Sequence, residues 1–137
     1  MFTNILCNLI VSYHGTAKHN CKSIAEEGYL LCKSHRFAFG HGIYSTPDID
    51  VALKFATKFD YEGNNYRVVI QNRVNPNNLI RISKQQTGVG EYWICPNETD
   101  LRPYGFCIKK DNDQQPYYTY NDNTYNDHNA TVQCTQQ

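Results

Sequence analysis

The sequence predicts a single α+β domain, and three observations carry this prediction. Short runs rich in Ile, Val, Tyr and Phe are bounded by Gly, Asn or Pro, as β-strands commonly are. Two segments with apolar residues at helical spacing lie among these runs, which is typical of the α+β class. At 137 residues the chain has room for one hydrophobic core. The sequence has no G-x-G-x-x-G within a strand–helix–strand unit, so a Rossmann dinucleotide fold is not expected.

The first third of the chain is predicted to form a strand, a helix and a loop. Residues 2–13 are rich in Ile, Leu, Val and Phe and end at His14-Gly15, which indicates a buried strand followed by a tight turn. Residues 17–29 form a short amphipathic pattern, and Gly28 is expected to end this helix. Residues 30–42 are predicted to be a loop.

The second helix is predicted to follow the short extended piece Ile43-Tyr44. Thr46 is the expected N-cap, with Pro47 in the first turn. The carboxylates that follow would lie near the positive end of the helix dipole. The apolar residues at helical spacing are expected to face the core: Val51, Ala52, Phe55, Ala56 and Phe59.

The remaining strands follow this helix. Residues 66–74 form the clearest strand pattern, ended by Asn75-Pro76. Further short strands are predicted over residues 79–82, 91–95 and 102–109.

The composition changes near residue 110. Residues 111–137 are rich in Asn, Gln, Asp, Tyr and Thr and have almost no aliphatic side chains. Such a segment buries too little apolar area to order itself, so we predict a folded domain over residues 1–110 and a polar, flexible C-terminal tail over residues 111–137. The alternative is a tail that its tyrosines hold against the domain surface.

Charge and cysteine usage indicate the environment. The chain has 13 basic and 13 acidic residues, so no bulk attraction to nucleic acid or to a membrane is expected. No apolar stretch approaches the ~20 residues that cross a bilayer. The first residues lack the features of a signal peptide, so we expect a cytoplasmic or nuclear protein whose six cysteines are reduced. No metal site is predicted, because the spacing of the nearest candidate ligands matches no compact zinc pattern: Cys21, Cys32, His35 and His41.

Three short segments each place a chemically capable side chain beside a glycine or at the start of an apolar run. In chain order they are Tyr13-His14-Gly15-Thr16, Gly40-His41-Gly42-Ile43-Tyr44-Ser45 and Gly90-Glu91-Tyr92-Trp93. A histidine, an aromatic ring and a carboxylate can together hold a dinucleotide and stabilise a cationic sugar.

From about Ser12 to Lys110, the order and spacing of these segments resemble the His-Tyr-Glu branch of the ADP-ribosyltransferases, the catalytic domain of the poly(ADP-ribose) polymerases. The resemblance implies a split pair of small antiparallel sheets, a β-sandwich with two short helices, which binds NAD as co-substrate. It also implies a catalytic set formed by His14, Tyr44 and Glu91.

The resemblance also implies a role for each residue in binding NAD. His14 would hydrogen-bond the adenosine ribose, with Thr16 beside it, and Gly15 would approach the nicotinamide carboxamide. Tyr44 and Phe55 would enclose the nicotinamide ring. Glu91 would hold the neighbouring ribose, where a fixed carboxylate stabilises the positive charge that develops as nicotinamide leaves.

The chain departs from the family pattern in four places. Ala52 stands where the polymerases present a serine to the nicotinamide, and the loss of that hydrogen bond is expected to weaken NAD binding by ~1 kcal/mol. Phe55 replaces a tyrosine and keeps the ring without its hydroxyl. The segment from Gly40 to Tyr44 comes early in the chain, so the loop over the donor site is short. Residues 83–90 are also short in the region that grips an acceptor chain, so we expect mono-ADP-ribosylation.

Other interpretations stay open. His14 can be a satisfied histidine at the core edge, Tyr44 can be ordinary strand packing, and Phe55 can be a core residue. The basic residues of the first third are interpreted as solvated charges rather than pyrophosphate ligands: Lys18, Lys22 and Arg36.

Two further functions are possible for the same cleft. One is an inactive module that binds NAD, ADP-ribose or a protein, which Ala52 and the short loops favour. The other is an NAD glycohydrolase with water as acceptor. For the transferase we expect a macromolecular acceptor, protein rather than nucleic acid, and a monomeric protein that does not bind membranes.

Overall fold

The protein is described here by a computed structural model, which covers residues 9–31, 38–111 and 132–136. Within these ranges the α+β class is confirmed: the strands form two sheets, both antiparallel, and the helices are few and short. The helices are α1 (Lys18–Glu27), α2 (Ile49–Phe55) and the four-residue α3 (Lys84–Thr87). Two 3-10 turns cover Pro76–Asn78 and Glu98–Asp100.

The larger sheet has five strands in the described part of the chain. They are β1 (Ile10–Gly15), β3 (Phe59–Tyr61), β4 (Asn64–Val74), β7 (Leu101–Asp111) and β8 (Val132–Gln136). The order is β1-β4-β7-β8, and β3 pairs with the start of β4, along the same edge as β1. β1 is therefore an edge strand of this sheet. His14, near the end of β1, pairs with Ile70 of β4.

The smaller sheet has three short strands, ordered β2-β6-β5. They are β2 (Ile43–Ser45), β5 (Ile80–Ile82) and β6 (Tyr92–Cys95). The two sheets are joined by backbone hydrogen bonds between Tyr13 and Thr46: each N–H donates to the other residue's carbonyl oxygen, at 2.8 and 2.9 Å. This bridge brings the end of β1 against the end of β2.

Both faces of the larger sheet are covered. Neighbouring residues of β4 point to opposite faces, so Ile70 joins one core cluster and Val69 joins the other. The first cluster packs against α1 and β2, and its buried members are Tyr29, Ile43, Ile70, Val74, Cys95 and Leu101. The second packs against α2, and its buried members are Ala52, Leu53, Ala56, Val69 and Cys107.

The start of α2 differs from the sequence prediction. The N-cap is Asp48, whose Oδ1 accepts from the Asp50 N–H at 2.9 Å, and Pro47 precedes the cap. Thr46 is not the cap because its backbone is committed to the bridge with Tyr13.

The end of α2 also differs from the prediction. The helix ends at Phe55, so Phe59 belongs to β3 and the helical spacing no longer applies to it. Val51, Ala52 and Ala56 are buried as expected, whereas Phe55 is 51% exposed.

A third α-helix appears where the sequence analysis counted two. Ser83 and Gln86 form a capping box: the Ser83 hydroxyl oxygen accepts from the Gln86 N–H, and the Gln86 side chain accepts from the Ser83 N–H. Gly88 ends the helix in a left-handed conformation, with φ of 74°.

The tail and the cysteines differ from expectation in part. Residues 132–136, which the sequence analysis places in a flexible tail, form β8 and pair with the edge of β7. This pairing gives the edge of β7 hydrogen-bond partners that it would otherwise lack. Residues 112–131 and 137 lie outside the described residues.

Cys21 and Cys95 are free, but Cys107 is disulfide-bonded, so the expectation of reduced cysteines is wrong for Cys107.

The described helices include none that is both long and apolar enough to cross a membrane. Two residues of the loose cysteine–histidine set, Cys32 and His35, lie outside the described ranges.

Candidate functional site

A cavity of about 520 Å³ opens where the bridged ends of β1 and β2 meet α1, α2 and β6. This volume is within the ~300–1,000 Å³ range of small-molecule sites. Six of the seven residues predicted for the site line it: His14, Gly15, Thr16, Tyr44, Ala52 and Phe55. These residues come from three separate stretches of sequence, and the bridge between the sheets is what brings the first two stretches together.

His14 lies at the end of β1, and the described contacts fix its ring. Its Nδ1 lies 2.7 Å from the Tyr44 carbonyl oxygen. Because a carbonyl oxygen can only accept, Nδ1 carries the hydrogen and Nε2 remains as an acceptor. The edge-on ring of Tyr29 packs against His14 with centroids 5.2 Å apart. Burial lowers the pKa of His14, with a smaller opposing effect from the Tyr44 hydrogen bond, so the imidazole is neutral near pH 7.

A buried polar pair supports this arrangement from behind. The Tyr29 hydroxyl donates to Asn72 Oδ1 at 2.9 Å, and the Asn72 side chain is completely buried. Burial raises the pKa of Tyr29, which keeps its hydroxyl protonated as a donor. Neither residue is predicted to belong to the site, because 43 positions separate them and neither lies in a motif.

The Tyr44 side chain stabilises the loop that precedes β2. Its hydroxyl donates to the Gly40 carbonyl oxygen at 2.6 Å and accepts from the Phe39 N–H at 2.8 Å. Gly40 has a φ of 121°, a conformation that side-chain-bearing residues rarely adopt. Gly40 therefore allows the loop to adopt this conformation, and the hydrogen bonds of the Tyr44 hydroxyl stabilise it.

Tyr92 is the centre of an aromatic cluster at the cavity. Phe39, Tyr44 and Phe55 each pack edge-to-face on its ring, with centroids 6.0, 6.4 and 5.8 Å away. Tyr44 and Phe55, the two rings expected to enclose a flat ligand, thus both contact Tyr92. Desolvation raises the pKa of Tyr92, so its phenol is neutral at ordinary pH. The sequence feature that could have identified Tyr92 as a site residue is its position directly after Glu91. Tyr92 is the first residue of β6, and it lines the cavity.

Gly15 and Gly90 bring their segments into direct contact with α2. A Cβ at Gly15 would overlap the Ala52 carbonyl oxygen, so only glycine fits this approach of β1 to the helix. A Cβ at Gly90 would lie 2.5 Å from the Val51 side chain. The segment that carries Glu91 therefore packs against the same helix that brings Ala52 and Phe55 to the cavity.

Glu91 is the predicted site residue that does not line the cavity, although its neighbour Tyr92 does. Its Oε1 accepts from the Trp93 indole N–H at 2.7 Å. Along a strand, successive side chains point to opposite faces, so Glu91 and Trp93 share one face and Tyr92 takes the other. The carboxylate therefore lies beside the cavity rather than in its wall.

The described lining contains no Lys or Arg. Lys22 is exposed and lies 4.0 Å from Glu26, and the Lys18 ammonium lies 5.1 Å from the centroid of the Phe59 ring. Both positions agree with the interpretation of these lysines as surface charges, and Arg36 lies outside the described residues. The described part of the lining offers a ligand aromatic surface, hydroxyls and backbone groups.

The fold and the site define a small α+β protein of two antiparallel sheets with an aromatic-lined cavity at their junction. No protein-family model and no curated protein sequence matches this chain.

The partly buried imidazole of His14 is expected to make stability depend on pH. Its pKa is lowered from the usual 6.5, so the unfolded chain binds the proton more readily than the folded one. The free energy of unfolding should therefore fall as pH drops below about 6.5, until the folded-state pKa is passed. Urea unfolding at pH 7.5 and at lower pH, compared between the wild type and His14→Gln, measures this contribution. Equal pH dependence in the two proteins would contradict it.

Proposed function

We propose that the protein is an NAD-dependent ADP-ribosyltransferase that transfers single ADP-ribose units to a macromolecular acceptor, protein rather than nucleic acid. One observation carries the proposal: His14, Tyr44 and Phe55, distant in sequence, line one cavity of about 520 Å³ together with Gly15 and Thr16. The resemblance of the three motifs to the His-Tyr-Glu transferases is the second support, and it rests on the sequence alone.

Each lining group has a chemical task in this proposal. Neutral His14 offers Nε2 to a ribose hydroxyl, because its Nδ1–H is already bound to the Tyr44 carbonyl oxygen. The rings of Tyr44 and Phe55 supply apolar surface for the flat nicotinamide, worth ~0.5–1.5 kcal/mol per ring pair beyond the area buried. Gly15 lets backbone groups approach the carboxamide closely.

The co-substrate NAD supplies the ADP-ribosyl group, with nicotinamide as the group that leaves. In this step positive charge develops on the sugar, and the Glu91 carboxylate stabilises it more in the transition state than in the ground state. Glu91 can also orient the acceptor nucleophile.

Two observations favour a second candidate, an inactive module that binds NAD or ADP-ribose. Glu91 lies outside the cavity wall, and Ala52 supplies no hydroxyl. In that case the same lining residues would hold the nucleotide without cleaving it.

Mass spectrometry after incubation with labelled NAD separates the candidates. ADP-ribose adducts on this protein or on a supplied acceptor protein support the transferase, and free ADP-ribose alone indicates a glycohydrolase. Unchanged NAD that nevertheless binds indicates the module. The transferase account further requires that Glu91→Ala abolish the adducts.

Ala52→Ser is expected to strengthen NAD binding about fivefold, because a hydroxyl at this lining position can hydrogen-bond the carboxamide for ~1 kcal/mol. Calorimetric titration of NAD into the wild type and Ala52→Ser measures the change. Ala56→Ser is the matched control, because Ala56 directly follows α2 and belongs to the same core cluster as Ala52 but does not line the cavity. An unchanged affinity in Ala52→Ser would place the carboxamide elsewhere.

A further inference from the structure

The carboxylate of Glu91 is held by the single tryptophan of the chain. The Trp93 indole N–H donates to Glu91 Oε1 at 2.7 Å, a short distance typical of a hydrogen bond to a charged acceptor. Among the described residues, no hydrogen bond reaches the other carboxylate oxygen. One oxygen of Glu91 is thus committed to the protein, and the other is available to a ligand.

Trp93 is itself firmly placed. It lies on β6, the central strand of the smaller sheet, opposite Ser45 on one side and Arg81 on the other. The Arg81 guanidinium lies 5.0 Å from the centroid of the indole ring, and Trp93 is only 6% exposed. A buried ring held between two strands and under a cation presents its N–H in one direction.

Two neighbours of this pair line the cavity. They are Tyr92, between Glu91 and Trp93 in sequence, and Ser45, the cross-strand partner of Trp93. The carboxylate that Trp93 holds therefore lies beside the cavity, although not in its wall.

We infer that Trp93 is a positioning residue, whose indole N–H fixes the Glu91 carboxylate and leaves its second oxygen for the sugar of the co-substrate. A glutamate has several rotatable bonds, and a carboxylate fixed before the reaction avoids the cost of ordering it in the transition state. The effect of Trp93 on catalysis rests on the proposed function; its hold on Glu91 does not.

The hold on Glu91 can be tested without turnover, because Trp93 is the only tryptophan and its emission responds to a carboxylate bonded to the indole. The emission spectra of the full chain, of Glu91→Leu and of the control Glu26→Leu are recorded at one pH near neutrality. We expect the emission maximum to shift in Glu91→Leu, which removes the acceptor of the indole N–H, and to stay at the wild-type wavelength in Glu26→Leu, where the replaced side chain is exposed on α1. A Glu91→Leu spectrum that superimposes on the wild-type spectrum would overturn the inference.

The consequence for turnover is tested with Trp93→Phe, which keeps an aromatic ring and removes the donor. We expect kcat for nicotinamide release to fall about tenfold, as the loss of a hydrogen bond to a charged group predicts, with KM for NAD within about twofold. Tyr104→Phe is the matched control, since it also removes one polar group from a ring under an arginine, the Arg73 guanidinium at 4.8 Å, in the other sheet.

An unchanged kcat in Trp93→Phe would overturn the positioning role. If the wild-type chain leaves NAD intact, the proposed function fails, and the comparison of emission spectra alone then supports or overturns the hold of Trp93 on Glu91.

Discussion

Glu91→Gln is expected to lower the rate of nicotinamide release by about 100- to 1,000-fold while NAD binding stays within a few-fold of the wild type. The amide is nearly isosteric, and its oxygen can still accept the Trp93 indole N–H. The substitution therefore removes the negative charge and leaves the geometry, so the loss measures charge stabilisation at the sugar. The measurement is single-turnover release of nicotinamide, combined with calorimetric binding of NAD.

Glu26→Gln is the matched control for this experiment. Glu26 is an exposed glutamate on α1 whose described ion pair is with Lys22, and it does not line the cavity. We expect its rate within about twofold of the wild type, since exposed ion pairs contribute little. Full activity in Glu91→Gln would show that the carboxylate has no part in the chemistry.

Gly15→Ala is expected to destabilise the fold by about 3 kcal/mol and to weaken NAD binding at the same time. The new methyl group would overlap the Ala52 carbonyl oxygen, which is backbone and cannot rotate away. Helix α2 must move, and with it the aromatic side chain of Phe55 at the cavity. Urea unfolding measures the loss of stability, and NAD titration of the folded variant measures the second effect.

Gly63→Ala separates this overlap from the general cost of replacing glycine. Gly63 has a φ of 78° in the turn between β3 and β4, and a Cβ there would meet no atom within 4 Å. We expect a loss of about 1 kcal/mol from backbone strain alone, without an effect on NAD. If Gly15→Ala costs no more than Gly63→Ala, the close packing of β1 on α2 is not what holds the helix.

The local features of the fold could be predicted from the sequence. Gly28 ends an amphipathic helix, and residues 66–74, rich in Val and Ile, indicate β4, which extends over Asn64–Val74. Each of these signals lies within a few residues of the feature that it indicates, which is why pattern reasoning finds it. The tight turn predicted at His14-Gly15 is wrong, because both residues belong to β1 and pair with β4.

Features that depend on distant partners could not be predicted. The N-cap of α2 moves to Asp48 because Thr46 is bound to Tyr13, more than 30 positions earlier. β8 forms because β7 offers it an edge, although its own composition is that of a flexible tail.

The candidate site likewise has features that the sequence predicts and features that it does not. The motifs and the family resemblance together located six residues of the cavity wall, yet the contacts that hold them could not be predicted from the sequence. Tyr29 reaches Asn72 across two elements, and Tyr92 collects three rings from three different segments. Such contacts depend on tertiary packing, so the spacing of residues along the chain does not predict them.

A crystal structure of the full chain with a non-hydrolysable NAD analogue tests the central claim most directly. The account predicts the nicotinamide ring against Tyr44 and Phe55, the adenosine ribose at His14, and the second ribose within hydrogen-bond distance of Glu91. An analogue bound away from this cavity, or a sugar out of reach of Glu91 in an active protein, would contradict it.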